Sequence, residues 1–306
     1  MEIDSGQTVQ TVNRPLPGKE KKPLRRLIPP ALLLLPLMLF LFGFFVVPML
    51  HILYLSFTPE ESSTASGFTL ENFVRFFTDP YYLGNLWLTV KISLWTVGVT
   101  LVLGYPVALT MAKSSPRMRT ILTFLVASPL LISIVVRNFG WYLLLLQNGT
   151  LNQVLLGLGI IDSPLRLLSS ETGVIIGLSN AYLPFMILSI AASLYNIDPN
   201  LERASAILGA NPVKTFFSVT FPLSLPGVVA GTVLVFSMSM SAYVTPAMMG
   251  GAKVPMLPVV AYDQIVNLMH WPFGSAVSFI LLGVTYLSVL LFTRAMERGR
   301  FREVFR

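Results

Sequence analysis

Cysteine is absent from this 306-residue chain, histidine occurs twice, and only 11% of the residues are charged. Without cysteine there is no disulfide, no thiolate metal site and no cysteine nucleophile. His51 and His270 lie far apart and offer no ligand spacing, so no metal is expected. No Gly-x-x-x-x-Gly-Lys-Ser/Thr segment occurs, which excludes P-loop nucleotide binding on this chain. No catalytic residue is expected either, since no His/Asp/Glu constellation and no nucleophile with a base stands out. The shortage of charge decides the class. Soluble domains carry roughly 25% charged residues, whereas here 54% of residues are hydrophobic and mean hydropathy is +0.72. The surplus apolar surface must face lipid. A secreted enzyme, a disordered scaffold and a nucleic-acid-binding module are thereby excluded.

What is present is a series of long apolar runs, each near the roughly 20 residues that a membrane-crossing helix needs. They give six spans: Ile28 to Leu55, Leu86 to Ala112, Ile121 to Leu146, Thr172 to Leu194, Val228 to Met249 and Ser275 to Met296. Continuous apolar runs exclude a β-barrel, whose strands alternate. The expected fold is all-α integral membrane with six transmembrane helices. Residues 1–26, rich in Gly, Pro, Gln, Thr and Lys, read as a disordered cytoplasmic tail, and residues 27–306 as the membrane domain. The first apolar run is too long for a signal peptide and reads as a retained helix.

Basic residues set the orientation, because Lys and Arg of short loops stay on the cytoplasmic side. Arg14 to Arg26, Lys113 to Arg119, Arg203 with Lys214, and Arg294 to Arg306 fall on one side, with only Arg75, Arg166 and Lys253 opposite. Both termini are expected in the cytoplasm. The net charge of +7 is accordingly a topology signal; no nucleic-acid partner is expected.

The inner loop, residues 195–225, carries the strongest pattern. Asp198 reads as an N-cap with Pro199 in the first helical position and Glu202 near the positive end of the helix dipole. Gly209 ends this helix, and Asn211-Pro212 opens a second, Val213 to Val219, which Phe221-Pro222 and Leu225-Pro226 are expected to break before the fifth span. Leu201, Ala204, Ser205 and Leu208 form a face of mostly small residues, and Val213, Phe216 and Phe217 add apolar surface. The pattern fits either a docking element or an amphipathic linker on the inner leaflet.

Glu202, Ala204, Ala206, Gly209 and the close Pro222-Leu223-Ser224-Leu225-Pro226 resemble the cytoplasmic "EAA" loop of ABC importer permeases, with Arg203 where the family pattern has its first Ala. Leu103-Gly104-Tyr105-Pro106, Val136 to Trp141, Asn148 to Asn152, Tyr243 to Ala247 and Asn267 to Gly274 resemble the spermidine/putrescine-type branch, so the likeness spans nearly the whole chain after the tail. The resemblance implies a type I importer permease of the bacterial inner membrane and no enzymatic activity on this chain. It implies that ATP and Mg belong to a cytoplasmic ATPase dimer, that a second six-helix permease completes the path, and that a periplasmic binding protein delivers a small solute. Glu202, Arg203, Ala204, Ala206, Gly209, Pro212, Phe216, Pro222 and Pro226 would then couple to the ATPase, Glu202 by pairing with one of its basic residues.

Around the path, Arg137, Asn138, Trp141, Tyr243, Thr245, Pro246 and Asp263 are the candidate residues. Arg137 either faces the path or snorkels outward, since a centred charge costs about 3 kcal/mol; Lys91, nearer a helix end, is expected to snorkel. Spermidine and putrescine are cations and call for carboxylates or aromatic faces, yet Ser241-Ala242 precede Tyr243 where polyamine-type members often carry an acid. An amino acid, opine or organic acid is the alternative cargo. A secondary transporter is the weaker alternative, because no span carries Asp or Glu in its interior.

Overall fold

The computed structural model describes residues 30–60 and 67–297. The tail expected over residues 1–26 lies outside them, as do residues 61–66 and 298–306. The described residues are helical and contain no strand. Two compact units divide the chain, Met1–Leu50 and His51–Arg306. The first supplies most of helix α1 (Leu34–Ser56), an apolar helix long enough to cross a membrane, with a π turn at Phe42–Val46.

In the second unit a short helix, α2 (Glu71–Thr78), precedes α3 (Pro80–Lys113). Asp79 caps α3 by accepting from Tyr81 N at 2.9 Å, and Pro80 fills the first position, where no donor is needed. A bent pair follows, Pro116–Leu131 and Ile134–Gly157, which contains α4 (Pro116–Ala127), α5 (Ile134–Leu145) and α6 (Thr150–Gly157). Then come α7 (Glu171–Tyr195), α8 (Pro199–Ile207), α9 (Pro212–Met240), α10 (Val244–Met249), α11 (Leu257–Tyr262) and α12 (Trp271–Glu297). Among the described residues five helices are long and apolar enough to span, and a sixth if the bent pair counts as one.

Two expected spans are corrected. The third is not a continuous helix over Ile121 to Leu146: the chain turns by 91° between its halves, after a 3-10 turn at Ser128–Leu131. Pro129 lies in that turn, where its ring removes a helical donor. The fifth begins at Pro212 and ends at Met240, so the expected breaks at Pro222 and Pro226 do not occur. A π turn at Phe216–Thr220, closed by Phe221 N–H to Phe216 O, widens the helix ahead of Pro222 and makes room for its ring. Beyond it, Ser224 and Ser193 hydroxyls donate to the Phe221 and Leu223 carbonyls and add side-chain bonds close to the two prolines.

The core is the packing of α3, α7 and α9, with Ile92, Met111, Leu178, Met186, Ile190 and Val235 buried. Small residues set the approach. A β-carbon on Gly227 would stand 2.5 Å from the Ser189 carbonyl oxygen, and one on Gly231 would stand 2.8 Å from Met186 Sδ. Glycines four apart let two helical backbones meet in lipid, where dispersion replaces the hydrophobic drive. One side of α3 is a hydroxyl ladder: Thr89, Ser93, Thr96 and Thr100 are fully buried, and each donates to the carbonyl four residues earlier. Bonding to their own helix lets them sit in an apolar interior at little cost. Lys91 has a partner that its place in the sequence did not disclose. Its ammonium lies 2.6 Å from the Glu171 carboxylate at the head of α7, which ties the ends of two spans together.

Candidate functional site

The segment between α7 and α9 folds into a bent, braced element. Asp198 accepts from Asn200 N at 2.9 Å to start α8, with Pro199 behind it. Gly209 adopts φ 83°, a conformation that costs other residues about 1–2 kcal/mol, so the chain turns there. Ala210 N–H donates to Ser205 O and Gly209 N–H to Ala206 O, which satisfies two end carbonyls in a Schellman arrangement. Asn211 then caps the start of α9 through Lys214 N at 2.7 Å. Ser205 and Thr215 hydroxyls, 3.1 Å apart, tie the two arms.

Glu202 is the hub of the brace. Thr220 Oγ1, buried in the π turn, donates to one carboxylate oxygen at 2.6 Å, and Lys113 Nζ at the end of α3 stands 3.7 Å from the other. The carboxylate that sequence reasoning reserved for a partner's basic residue thus has two partners within its own chain. Arg203 is exposed and bonds Asn200. Ala204, Ala206, Gly209 and Pro212 are exposed, and Ile207 and Leu208 project at 86% and 87% exposure. Phe216 departs from expectation. It turns inward against Tyr105 and Phe221 with ring centroids 5.6 and 6.1 Å away, whereas Val213 and Phe217 stay exposed. Tyr105 Oη and Ser224 Oγ, 2.8 Å apart, complete that contact between α3 and α9. Pro222 and Pro226 lie within the α9 span rather than at its border.

A second locus forms where α9 stops at Met240. The break at Ser241–Tyr243 opens a cavity of about 230 Å3 lined in part by Tyr182, Met238, Tyr243 and Thr245. Asn138 is 1% exposed and donates from Nδ2 to Thr245 Oγ1 at 2.9 Å, joining α5 to α10. Among the described residues its Oδ1 has no partner, and neither do the buried hydroxyls of Ser179 and Ser239. Tyr182 donates to the Met238 carbonyl. Tyr243 packs against Tyr262 with the rings tilted and their centroids 4.4 Å apart, and Asp263 follows in sequence, exposed and bonded to Asn267. Pro246 is buried on α10. Arg137 reaches back across the bend to the Pro129 carbonyl at 3.1 Å, so it fastens the two halves of the bent pair. Trp141 packs against the main core, and neither it nor Asp263 nor Asn138 is part of the cavity lining. Met240 and Met249 are fully buried core residues.

Residues 100–302 match the family described as "Binding-protein-dependent transport system inner membrane component". The chain belongs to this family. It is a multi-pass protein of the bacterial inner membrane and a transport component rather than an enzyme. Among its relatives, the spermidine/putrescine transport system permease protein PotB of Haemophilus influenzae is 37% identical over 250 residues, covering 81% of this chain and 86% of that one. PotB of Escherichia coli is 36% identical over 254 residues, covering 82% and 92%. Among solved structures, a bacterial ABC transporter that imports the acidic polysaccharide alginate superposes with a TM-score of 0.69 at 18% identity, over 88% of this chain and 94% of that one. The inward-facing MetNI methionine ABC transporter superposes at 0.53, with 19% identity and 73% and 96% coverage. These two show the fold of the family member and nothing of its cargo.

Sequence reasoning missed Lys113 and Thr220 as supports of the 198–220 element, and Glu171 as the partner of Lys91. Only the acidic type of Glu202 and its fixed offset from Gly209 were visible locally.

Proposed function

We propose that the chain is one permease subunit of an ATP-driven importer that carries polyamines such as spermidine and putrescine inward from a periplasmic binding protein. The observation carrying this reading is the identity of 36–37% to PotB across more than four-fifths of both chains. In this reading residues 195–225 face the cytoplasm, both termini lie there too, and the braced element seats on an ATPase dimer that holds ATP and Mg. A second six-helix permease completes the path. The exposed tip, Ile207 and Leu208 with Val213 and Phe217, supplies apolar contact, while Glu202 holds the lever against α3 and α9 so that closure of the ATPase moves the spans. Tyr182 and Tyr243 line the cavity at the break of α9 and offer aromatic faces to an ammonium group.

A second cargo is favoured by two features: among the described residues no carboxylate lines that cavity, and Arg137 sits in the bent pair. An amino acid, opine or organic acid would suit such a lining. Uptake of labelled putrescine and spermidine into cells expressing the whole operon decides between them. Saturable, ATP-dependent uptake that excess cold polyamine suppresses supports the polyamine reading. Uptake suppressed by carboxylate solutes and indifferent to polyamines overturns it.

A further inference from the structure

Two tyrosines and a carboxylate meet beside the break that ends α9, and they come from separate segments of the chain. Tyr243 belongs to the break and lines the cavity there. Tyr262 ends α11 and packs against Tyr243 with ring centroids 4.4 Å apart and planes 30° from parallel. It stays 38% exposed, so part of it remains open to a ligand. Asp263 is the next residue; it is exposed and close enough to Tyr243 for its charge to act on that side chain.

The support under Asp263 is firm. A π turn runs over Asp263–Asn267, closed by Leu268 N–H donating to the Asp263 carbonyl at 2.9 Å, and such turns occur frequently at functional sites. Gln264 is buried, and its carbonyl accepts from His270 N–H at 2.8 Å. The turn lies tightly on the head of α12, where a β-carbon on Gly274 would stand 3.2 Å from the Ile265 backbone nitrogen. Asn267 Nδ2 donates to Asp263 Oδ1 at 2.7 Å and fixes the direction of the carboxylate. Among the described residues no Lys, Arg or His lies within ion-pairing distance of it, whereas Glu60, Glu171 and Glu202 each have such a cation. A carboxylate without a cation, set beside aromatic rings, suits an ammonium group: the acid attracts its charge and accepts its hydrogens, and a ring face draws the same cation. A carboxylate solute would be repelled at this point.

We propose that Asp263, with the Tyr243–Tyr262 pair, binds an ammonium group of the cargo beside the cavity and so selects cationic solutes. The inference rests on the polyamine reading above, and it supplies from the 263–267 turn the acid that Ser241-Ala242 lack. The plainer role for Asp263 is to hold Asn267 and nothing more, and charge separates the two, since an amide at position 263 can still accept from Asn267 and cannot pair with an ammonium group.

The test uses the complete transporter, with its ATPase, partner permease and binding protein, in vesicles, and follows uptake of labelled spermidine and putrescine at saturating loaded binding protein. Asp263→Asn keeps the shape and removes the charge, and it should lower uptake of both cargoes about fivefold, the scale of one ammonium contact. Asp263→Glu restores the charge and should return uptake to within about twofold of wild type. Tyr262→Leu removes a ring and should cost about threefold, which Tyr262→Phe should largely recover. Asn267→Ala removes the bond and keeps the carboxylate, and it should stay within about twofold of wild type. If Asp263→Asn fails to assemble, Asp263→Glu against Asp263→Gln compares charge at constant length. Wild-type uptake by the uncharged variants overturns the proposal. So does an equal loss in Asn267→Ala, which would assign the carboxylate to the fold alone. If the wild-type transporter takes up neither polyamine, the polyamine reading falls and this proposal with it.

Discussion

Glu202 has two partners of unequal weight. The Lys113 ammonium is 3.7 Å away and well exposed, and pairs of that kind contribute about 0–1 kcal/mol. The Thr220 hydroxyl is buried and donates to a charged acceptor at 2.6 Å, a bond class worth about 1.5–3 kcal/mol. Thr220→Val keeps the shape and removes the donor. It should reduce substrate uptake per ATP hydrolysed more than Lys113→Met does, with similar amounts of both variants in the membrane. Equal coupling ratios for the two would place the brace on the lysine instead. Thr220 could not be read from sequence as Glu202's support, because the bond spans 18 positions and depends on a π turn that rotates the hydroxyl toward α8. Gly209, in contrast, announces its own conformation, since a left-handed turn after a helix is a local property.

Helices here are held by surface that the hydropathy of a run does not describe. The approach of α9 to α7 rests on Gly227, where a β-carbon would meet backbone at 2.5 Å. Gly227→Val should therefore destabilise the detergent-solubilised protein by about 1–3 kcal/mol, the usual range for overpacking. Gly98 on α3 is exposed with nothing within 4 Å of its would-be β-carbon, so Gly98→Ala should leave the unfolding midpoint essentially unchanged. Thermal unfolding of the two variants side by side checks this. Prolines teach the same lesson. Pro222 and Pro226 read as helix breakers by the rule for soluble helices, yet α9 passes through both, with a π turn just ahead of Pro222. Pro129, with a 3-10 turn around it and Arg137 bonded to its carbonyl, does mark a bend.

For the molecule as a whole, the absence of cysteine makes its orientation directly measurable. A single cysteine at exposed Ser218 in the 216–220 turn should be shielded from a membrane-impermeant maleimide in intact spheroplasts and labelled after permeabilisation. A cysteine at exposed Ser163, between α6 and α7, should be labelled in both states. The reverse pattern would put the braced element on the outer side and remove the basis for ATPase coupling. Asymmetry of basic residues predicts the first outcome, since moving Lys and Arg across the membrane is costly.

Composition and order of the sequence determined the class, the number of apolar crossings to within one, and the position of the bend at Gly209, because burial in lipid and backbone sterics act on local stretches of chain. The tertiary structure alone decided where the third crossing breaks, where the fifth begins, and which side chains answer Glu202, Lys91 and Arg137. Those outcomes depend on groups tens of residues apart, brought together by packing of glycine and hydroxyl surfaces whose complementarity no single segment encodes.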